Sequence, residues 1–189
     1  MAPVRALLCS QNPHKLAELR AALPGWQLEL LDADGYPAED GATYYENARA
    51  KALFGREHGE SGTWLIGEDS GIEAAALDGR PGIHSARWAD DGVERLLREV
   101  GGAEDRRARY VCELVCLTPD RELTGTGILE GTLATAPSGS EGFGYDPIFV
   151  PAGETRTVAE LGDDWKRRHS HRARAARALL AAGQARPAT

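Results

Sequence analysis

Val4-Arg5-Ala6-Leu7-Leu8-Cys9, followed at once by Ser10-Gln11-Asn12-Pro13-His14-Lys15, sets the class of the fold. The apolar run has the length and character of a buried strand. Asn12 is a good helix N-cap and Pro13 suits the first helical position, so a helix is predicted over about Pro13 to Leu23, where Pro24-Gly25 stops it. Strand, loop and helix in that order make the chain α/β from its start.

Beyond that unit the pattern continues. A strand is expected around Trp26 to Leu31, then a polar loop rich in Asp, Gly and Pro up to Gly41. Thr43-Tyr44-Tyr45-Glu46 has the spacing of a capping box and opens an alanine-rich helix that runs to about His58. Trp64 to Gly67 reads as a strand and Ile72 to Leu77 as a second one, turned by Asp78-Gly79. A helix over Val93 to Val100 closes at Gly101-Gly102. Tyr110 to Leu117 and Glu122 to Leu133 are dense in β-formers and are expected to pair across Thr118-Pro119-Asp120. A glycine-rich loop over Gly139 to Pro147, a short strand Ile148 to Val150, a polar segment and a helix from about Ser170 to Ala182 complete the chain. With no internal repeat and no long low-complexity linker, residues 1–189 are expected to form one domain, with about 184–189 as a frayed tail.

Composition narrows the function. At 189 residues with 42% hydrophobic content the chain is long enough for a sizeable core. A formal net charge of -7 argues against general binding to nucleic acid or to an anionic membrane, although a small anion can still be held by local groups. No apolar stretch approaches the ~18 residues that span a bilayer, and the N-terminus lacks a cleavage-like segment, so a cytoplasmic location is expected. Cys9, Cys112 and Cys116 have neither a Cys-x-x-Cys pairing nor zinc-like histidine spacing and read as small buried apolar residues.

Five segments can carry chemistry, and each also has a bland reading. Ser10 to Lys15 can cradle an anion on helix N–H groups with Lys15 as a point charge, or be ordinary helix-start chemistry. Glu46 can hold a metal from the first helical turn, or serve as the capping-box glutamate, with Asn47 and Lys51 sharing a solvated face. Glu68-Asp69-Ser70-Gly71 puts two acids at the end of an apolar run, where they are costly to bury without a cation. Successive strand residues face opposite ways, so only one of Glu68 and Asp69 is expected to reach a given metal. Gly142-Phe143-Gly144-Tyr145-Asp146-Pro147 can admit a planar ring to the backbone, or be a turn with aromatic anchors in the core. Lys166-Arg167-Arg168-His169-Ser170-His171-Arg172 can meet a nucleotide, or be a solvated helix face.

Taken in order, these pieces resemble the Ham1/inosine triphosphate pyrophosphatase family. The matching segments are Ser10-Gln11-Asn12-Pro13-His14-Lys15, Glu46-Asn47-Ala48 with Lys51-Ala52, Glu68-Asp69-Ser70-Gly71, Pro81-Gly82 with Ser85-Ala86-Arg87, Gly142 to Pro147, and Lys166 with Ser170-His171-Arg172. The resemblance implies an elongated α/β protein with a central mixed β-sheet flanked by helices, two lobes around a substrate cleft, and a homodimer. It implies a Mg2+-dependent hydrolysis of the purine nucleoside triphosphates ITP, dITP and XTP to monophosphate and pyrophosphate. Carried over residue by residue, Asp69 is the catalytic acid/base residue and a metal ligand, with Glu46 as second metal ligand. Ser10 to Lys15 and Ser70 hold phosphate and sugar, while Phe143, Gly144, Tyr145, Asp146, Lys166, His171 and Arg172 meet the nucleotide, chiefly its base. Many members have two aspartates where this chain has Glu68-Asp69, and others have Glu-Asp, so Asp69 keeps the catalytic role. Rival readings are a Maf-like pyrophosphatase acting on pyrimidine or modified nucleotides, and a nucleotide-binding protein without turnover.

Overall fold

A computed structural model describes residues 4–184. Strands β1 (Val4–Leu8), β2 (Trp26–Leu30), β3 (Trp64–Ala74), β4 (Arg107–Leu117), β5 (Glu122–Leu133) and β6 (Phe149–Pro151) form one six-stranded sheet in the order β2-β1-β3-β4-β5-β6. The sheet is mixed. β1 runs parallel to both neighbours, with Ala6 opposite Leu28 and Trp64, whereas β5 and β6 are antiparallel. A strand covered on both faces should be apolar throughout its inward positions, and Ala6 and Leu8 are indeed buried.

Helices α1 (Pro13–Ala22) and α2 (Tyr44–His58) follow β1 and β2 as the sequence predicts. Asn12 caps α1 by accepting from the N–H groups of His14 and Lys15, and Thr43 caps α2 by accepting from Glu46 N–H. Helix α3 (Gly92–Val100) starts at Asp91 and ends at Gly101, whose φ of 51° lies in the left-handed region. The polar segment before the last helix contains α4 (Val158–Leu161), closed by a Thr157/Glu160 capping box, and α5 (Asp163–His169). Both are too short to show an apolar period in the sequence. The last helix, α6, spans His171–Gln184. Of the expected frayed tail, Gln184 ends α6 and the rest lies outside the described residues.

One expectation is corrected. The two strands predicted over Trp64–Gly67 and Ile72–Leu77 are a single strand, β3, and Ala75–Leu77 is a 3-10 turn leading to Asp78, at φ 53°, and Gly79. Gly67 and Gly71 look like breakers but are sites of close approach. A Cβ on Gly67 would lie 1.8 Å from the carbonyl oxygen of Ala48 on α2, and one on Gly71 would lie 2.1 Å from that of Gly82.

The chain divides into two compact units. The first comprises the residues up to Asp69, Cys112–Gly127 and those from Arg172 onward. Its core joins Leu8, Leu19, Leu23, Ile66 and Leu114 to Ala175, Ala176 and Leu179 of α6, with a second cluster of Ala48, Ala52, Leu65 and Val115 beneath α2. Cys9, Cys112 and Cys116 are free thiols buried within these clusters. The second unit comprises Ser70–Val111 and Ile128–His171, with a core of Ile72, Leu96, Tyr110, Leu133, Ile148 and Phe149.

Because Gly67 meets backbone and not a flexible side chain, Gly67→Ala is expected to destabilise the protein by about 1–3 kcal/mol, measured as a lowered urea midpoint.

Candidate active site

In the first unit the centre of β3 is a charged core. Glu68 is fully buried, with 0% exposure. Its Oε2 is 2.5 Å from Lys15 Nζ, one turn into α1. Its Oε1 accepts from Arg172 Nε at 3.1 Å and Nη2 at 2.8 Å, so Arg172 holds that oxygen with two donors. Arg172, 1% exposed at the start of α6, also donates from Nη1 to Glu18 Oε2 at 3.0 Å. Cys112 Sγ lies 3.6 Å from Glu68 Oε1. Burial alone would push the Glu68 carboxyl up, but the cations of Lys15, Arg172 and Lys51 outweigh it and hold the group well below the usual carboxylate range. Burial would likewise lower Arg172, and the carboxylates of Glu68 and Glu18 raise it instead.

Asp69 meets α2. Its Oδ2 accepts from Asn47 Nδ2 at 3.0 Å, and its Oδ1 lies 3.3 Å from Lys51 Nζ. Lys51 also donates to the backbone carbonyl of Glu68 at 3.0 Å and is paired with Glu39 from the loop before α2. Asp69 is 3% exposed, and burial raises its pKa above the ordinary aspartate value. Lys51 and Asn47 pull it down and Glu39 and Glu68 push it up, leaving a net rise. Burial works to lower Lys51, but Asp69, Glu68 and Glu39 together raise it, so it stays an ammonium.

The second unit holds a different cluster. Asp146, 2% exposed, accepts from Lys166 Nζ at 2.7 Å and Phe143 N–H at 2.8 Å on Oδ2, and from the Tyr110 hydroxyl at 3.2 Å on Oδ1. The Lys166 ammonium sits 4.1 Å above the Phe143 ring, a cation–π contact. The His171 ring stacks on Tyr110. Gly142, at φ 78°, leaves room for the Asp146 carboxylate, since a Cβ there would lie 2.3 Å from Oδ2.

The sequence-predicted residues therefore separate. Gln11, Pro13, His14 and Gly144 are exposed, and Ser10, Asn12 and Ser70 are half-buried. Ser10 Oγ accepts from Asn12 N–H. Tyr145 is buried, with its hydroxyl donating to the carbonyl of Ser85. Arg172 meets Glu68 and Glu18, whereas its neighbour His171 stacks on Tyr110. Arg167, Arg168 and His169 are exposed, while Lys166 is buried. Glu46 is exposed and its Oε2 accepts from Ala42 N–H at 2.6 Å, a helix-start contact. Asn47 and Lys51 do not share a solvated face, as their spacing suggested; both are buried against Asp69 because α2 presses on Gly67. Glu18, Glu39, Asn47, Lys51 and Tyr110 were not predicted as site residues. The available signal was Asn47-Ala48 and Lys51-Ala52, polar and small residues alternating on one stripe of an alanine-rich helix.

The mixed sheet of this α/β protein carries a buried acid-and-lysine centre in one unit, and the other unit holds a lysine-carboxylate-aromatic platform. The chain matches the Ham1 family over residues 6–182 and belongs to it. It is 43% identical over 180 residues to a dITP/XTP pyrophosphatase of Gloeobacter violaceus, covering 92% of this chain and 91% of that one. It is 41% identical over 186 residues to a dITP/XTP pyrophosphatase of Deinococcus radiodurans, covering 94% and 92%. Among solved structures, the Staphylococcus aureus Ham1 protein aligns with a TM-score of 0.81 at 32% identity over 94% of this chain and 96% of that one.

Removing the Glu68 charge strands Lys15 and half of Arg172's partnership in a dry interior. Glu68→Gln is expected to cost about 3–5 kcal/mol of unfolding free energy at neutral pH, measured by urea titration. The depressed Glu68 carboxyl contributes stability in full above its ordinary value of 4.5 and loses it as pH falls towards the folded-state value, so the difference between the two proteins narrows in acid.

Proposed function

We propose that the protein is a nucleoside triphosphate pyrophosphatase that hydrolyses the non-standard purine nucleotides ITP, dITP and XTP to monophosphate and pyrophosphate, clearing them from the nucleotide pool. The observation that carries this reading is the buried Asp69 carboxylate held by Asn47 and Lys51, in a chain whose relatives at 43% and 41% identity are dITP/XTP pyrophosphatases. A cytoplasmic location and a homodimeric assembly belong to the same reading; among the described residues no helix is long and apolar enough to cross a membrane.

Asn47 and Lys51 occupy one position on each Asp69 oxygen and leave lone pairs on both. One of these accepts the proton of the water that attacks the α-phosphorus, as the bond from that phosphorus to its bridging oxygen breaks and pyrophosphate leaves. The raised Asp69 pKa makes it a better base than an ordinary carboxylate. Ser10 to Lys15 at the start of α1, with Ser70, bind the phosphates and sugar, and the ammonium groups of Lys15 and Lys51 offset the charge that develops on phosphate oxygens.

The donors around Asp69 suit magnesium. They are hard carboxylate oxygens, the donor type that magnesium takes. Magnesium is commonly held by one or two carboxylates and completed by substrate and water. Asp69 and Glu46 would hold it, the latter from the first turn of α2, where its Oε2 now accepts from Ala42 N–H. Bound there, Mg2+ supplies charge neutralisation on the phosphates.

Phe143, Lys166 and His171 read the base. Hypoxanthine and xanthine carry a 6-oxo acceptor where adenine has an amino donor, so hydrogen-bond donors on the protein favour the former. Asp146 anchors Lys166 and Phe143, and Arg172 acts through Glu68 and Glu18.

Purified protein with Mg2+ is expected to convert ITP, dITP and XTP to monophosphate and pyrophosphate far faster than ATP, GTP or dTTP. Release of orthophosphate, equal turnover of ATP, or a preference for a pyrimidine nucleotide would overturn the reading. Asp69→Asn is expected to abolish turnover while ITP binding, followed by calorimetry, persists. In Mg2+ titrations of the rate, Glu46→Gln is expected to raise the concentration for half-maximal activity several-fold; an unchanged value would remove Glu46 from the metal site.

A further inference from the structure

Tyr110 lies on β4, in the apolar core of the second unit, and is 6% exposed. Its ring centroid is 4.5 Å from that of His171, with only 8° between the two planes. Phe149 supports the same phenol ring at 4.7 Å and 53°. Its hydroxyl reaches Asp146 Oδ1, the carboxylate whose other oxygen takes both Lys166 Nζ and Phe143 N–H. One side chain thus sets the plane of one imidazole and steadies the carboxylate that anchors an ammonium and an aromatic ring.

Packing alone does not call for a phenol here. Leucine or phenylalanine would fill an apolar core position without a polar atom that needs a partner. The two contacts also have different chemistry, since a stacked ring fixes the tilt of its neighbour whereas an O–H bond fixes the swing of a carboxylate. A carboxylate with its oxygens held on both sides cannot rotate to follow Lys166, so the ammonium stays over the Phe143 ring. This is the arrangement by which a supporting residue holds recognition groups within narrow geometric limits.

We propose that Tyr110 is a positioning residue for base recognition, orienting His171 by stacking and the Lys166–Phe143 pair through Asp146. The inference rests on the assignment of His171, Lys166 and Phe143 to the base. Tyr110 itself touches no substrate and takes part in no bond change, so its loss acts on binding and discrimination before it acts on chemistry.

Two variants separate its two contacts. Tyr110→Phe keeps the stack and removes the bond to Asp146, and Tyr110→Leu removes both. For Tyr110→Phe, KM for ITP is expected to rise roughly five-fold with kcat within about two-fold of wild type. For Tyr110→Leu, the ITP-over-ATP ratio of kcat/KM is expected to fall by about ten-fold or more. The His171 ring signals in a 1H–13C NMR spectrum of nucleotide-free protein, identified with His171→Gln, should stay near their wild-type positions in Tyr110→Phe and move in Tyr110→Leu as the ring current is lost. A folded Tyr110→Leu protein with wild-type KM and an unchanged ITP-over-ATP ratio, or with unmoved His171 signals, overturns the inference. If Tyr110→Leu fails to fold, Tyr110→Phe decides alone, and a wild-type KM overturns the role of the hydroxyl. Wild-type protein that does not favour ITP over ATP defeats the base-site reading instead, and the NMR comparison then still decides whether Tyr110 orients His171.

Discussion

A glutamate with no solvent exposure at the centre of a sheet strand imposes the strictest condition on this molecule. Taking an ionised carboxylate out of water costs several kcal/mol, which is offset only when cations arrive with good geometry and further hydrogen bonds. For Glu68 the cations are Lys15 of α1 and Arg172 of α6, elements at opposite ends of the chain. Arg172 is itself buried and in turn requires Glu18, also on α1. Shifting either helix by one turn would strand at least one of these charges, so the network discriminates against misregistered packings more strongly than the leucines and alanines around it.

The residue after Glu68 faces the other way, and its circumstances are reversed. Where Glu68 meets two cations, Lys15 and an Arg172 that it shares with Glu18, Asp69 meets one, Lys51, which it shares with Glu39 and with the Glu68 backbone carbonyl. Two adjacent carboxylates are consequently pushed apart in pKa, one locked as an anion and one raised, although both are buried. Environments that separate the pKa values of neighbouring acids mark a division of roles. Glu68 holds the elements together, and Asp69 keeps proton affinity to spare. The geometry behind this is backbone contact. α2 lies so close to β3 at Gly67 that no side chain fits there, and that proximity brings Asn47 and Lys51 within bonding distance of Asp69.

Elements whose signals are local were legible in the sequence. Asn12-Pro13 and Thr43 marked their helix starts, and the segments from Ser10 to Lys15 and from Gly142 to Pro147 were recognised as polar or glycine-rich punctuation between apolar runs. Features that depend on what lies opposite in space were not. Gly67 and Gly71 resemble turn residues until the carbonyls of Ala48 and Gly82 are seen against them. Asn47 and Lys51 have the spacing of a solvated helix face, and only the approach of β3 turns that face inward. Lys166 sits in a run of cations whose next three members are exposed, so nothing in the run itself distinguishes the one residue that is buried on Asp146. Arg172 and His171 are neighbours in sequence, yet a helix start sends them to different partners.

Charge composition differs between the two units. Around β3 in the first unit, four carboxylates, Glu18, Glu39, Glu68 and Asp69, meet three cations, Lys15, Lys51 and Arg172. Asp69 shares Lys51 with Glu39, and burial is the largest cause of its raised pKa, with Lys51 and Asn47 opposing the rise and Glu39 and Glu68 adding to it. In the second unit the Asp146 carboxylate pairs with Lys166 and also accepts from a phenol and a backbone N–H, beside aromatic rings. The two environments are therefore not interchangeable: the first sets several ionised groups around one strand, and the second pairs one carboxylate with one ammonium over an aromatic face.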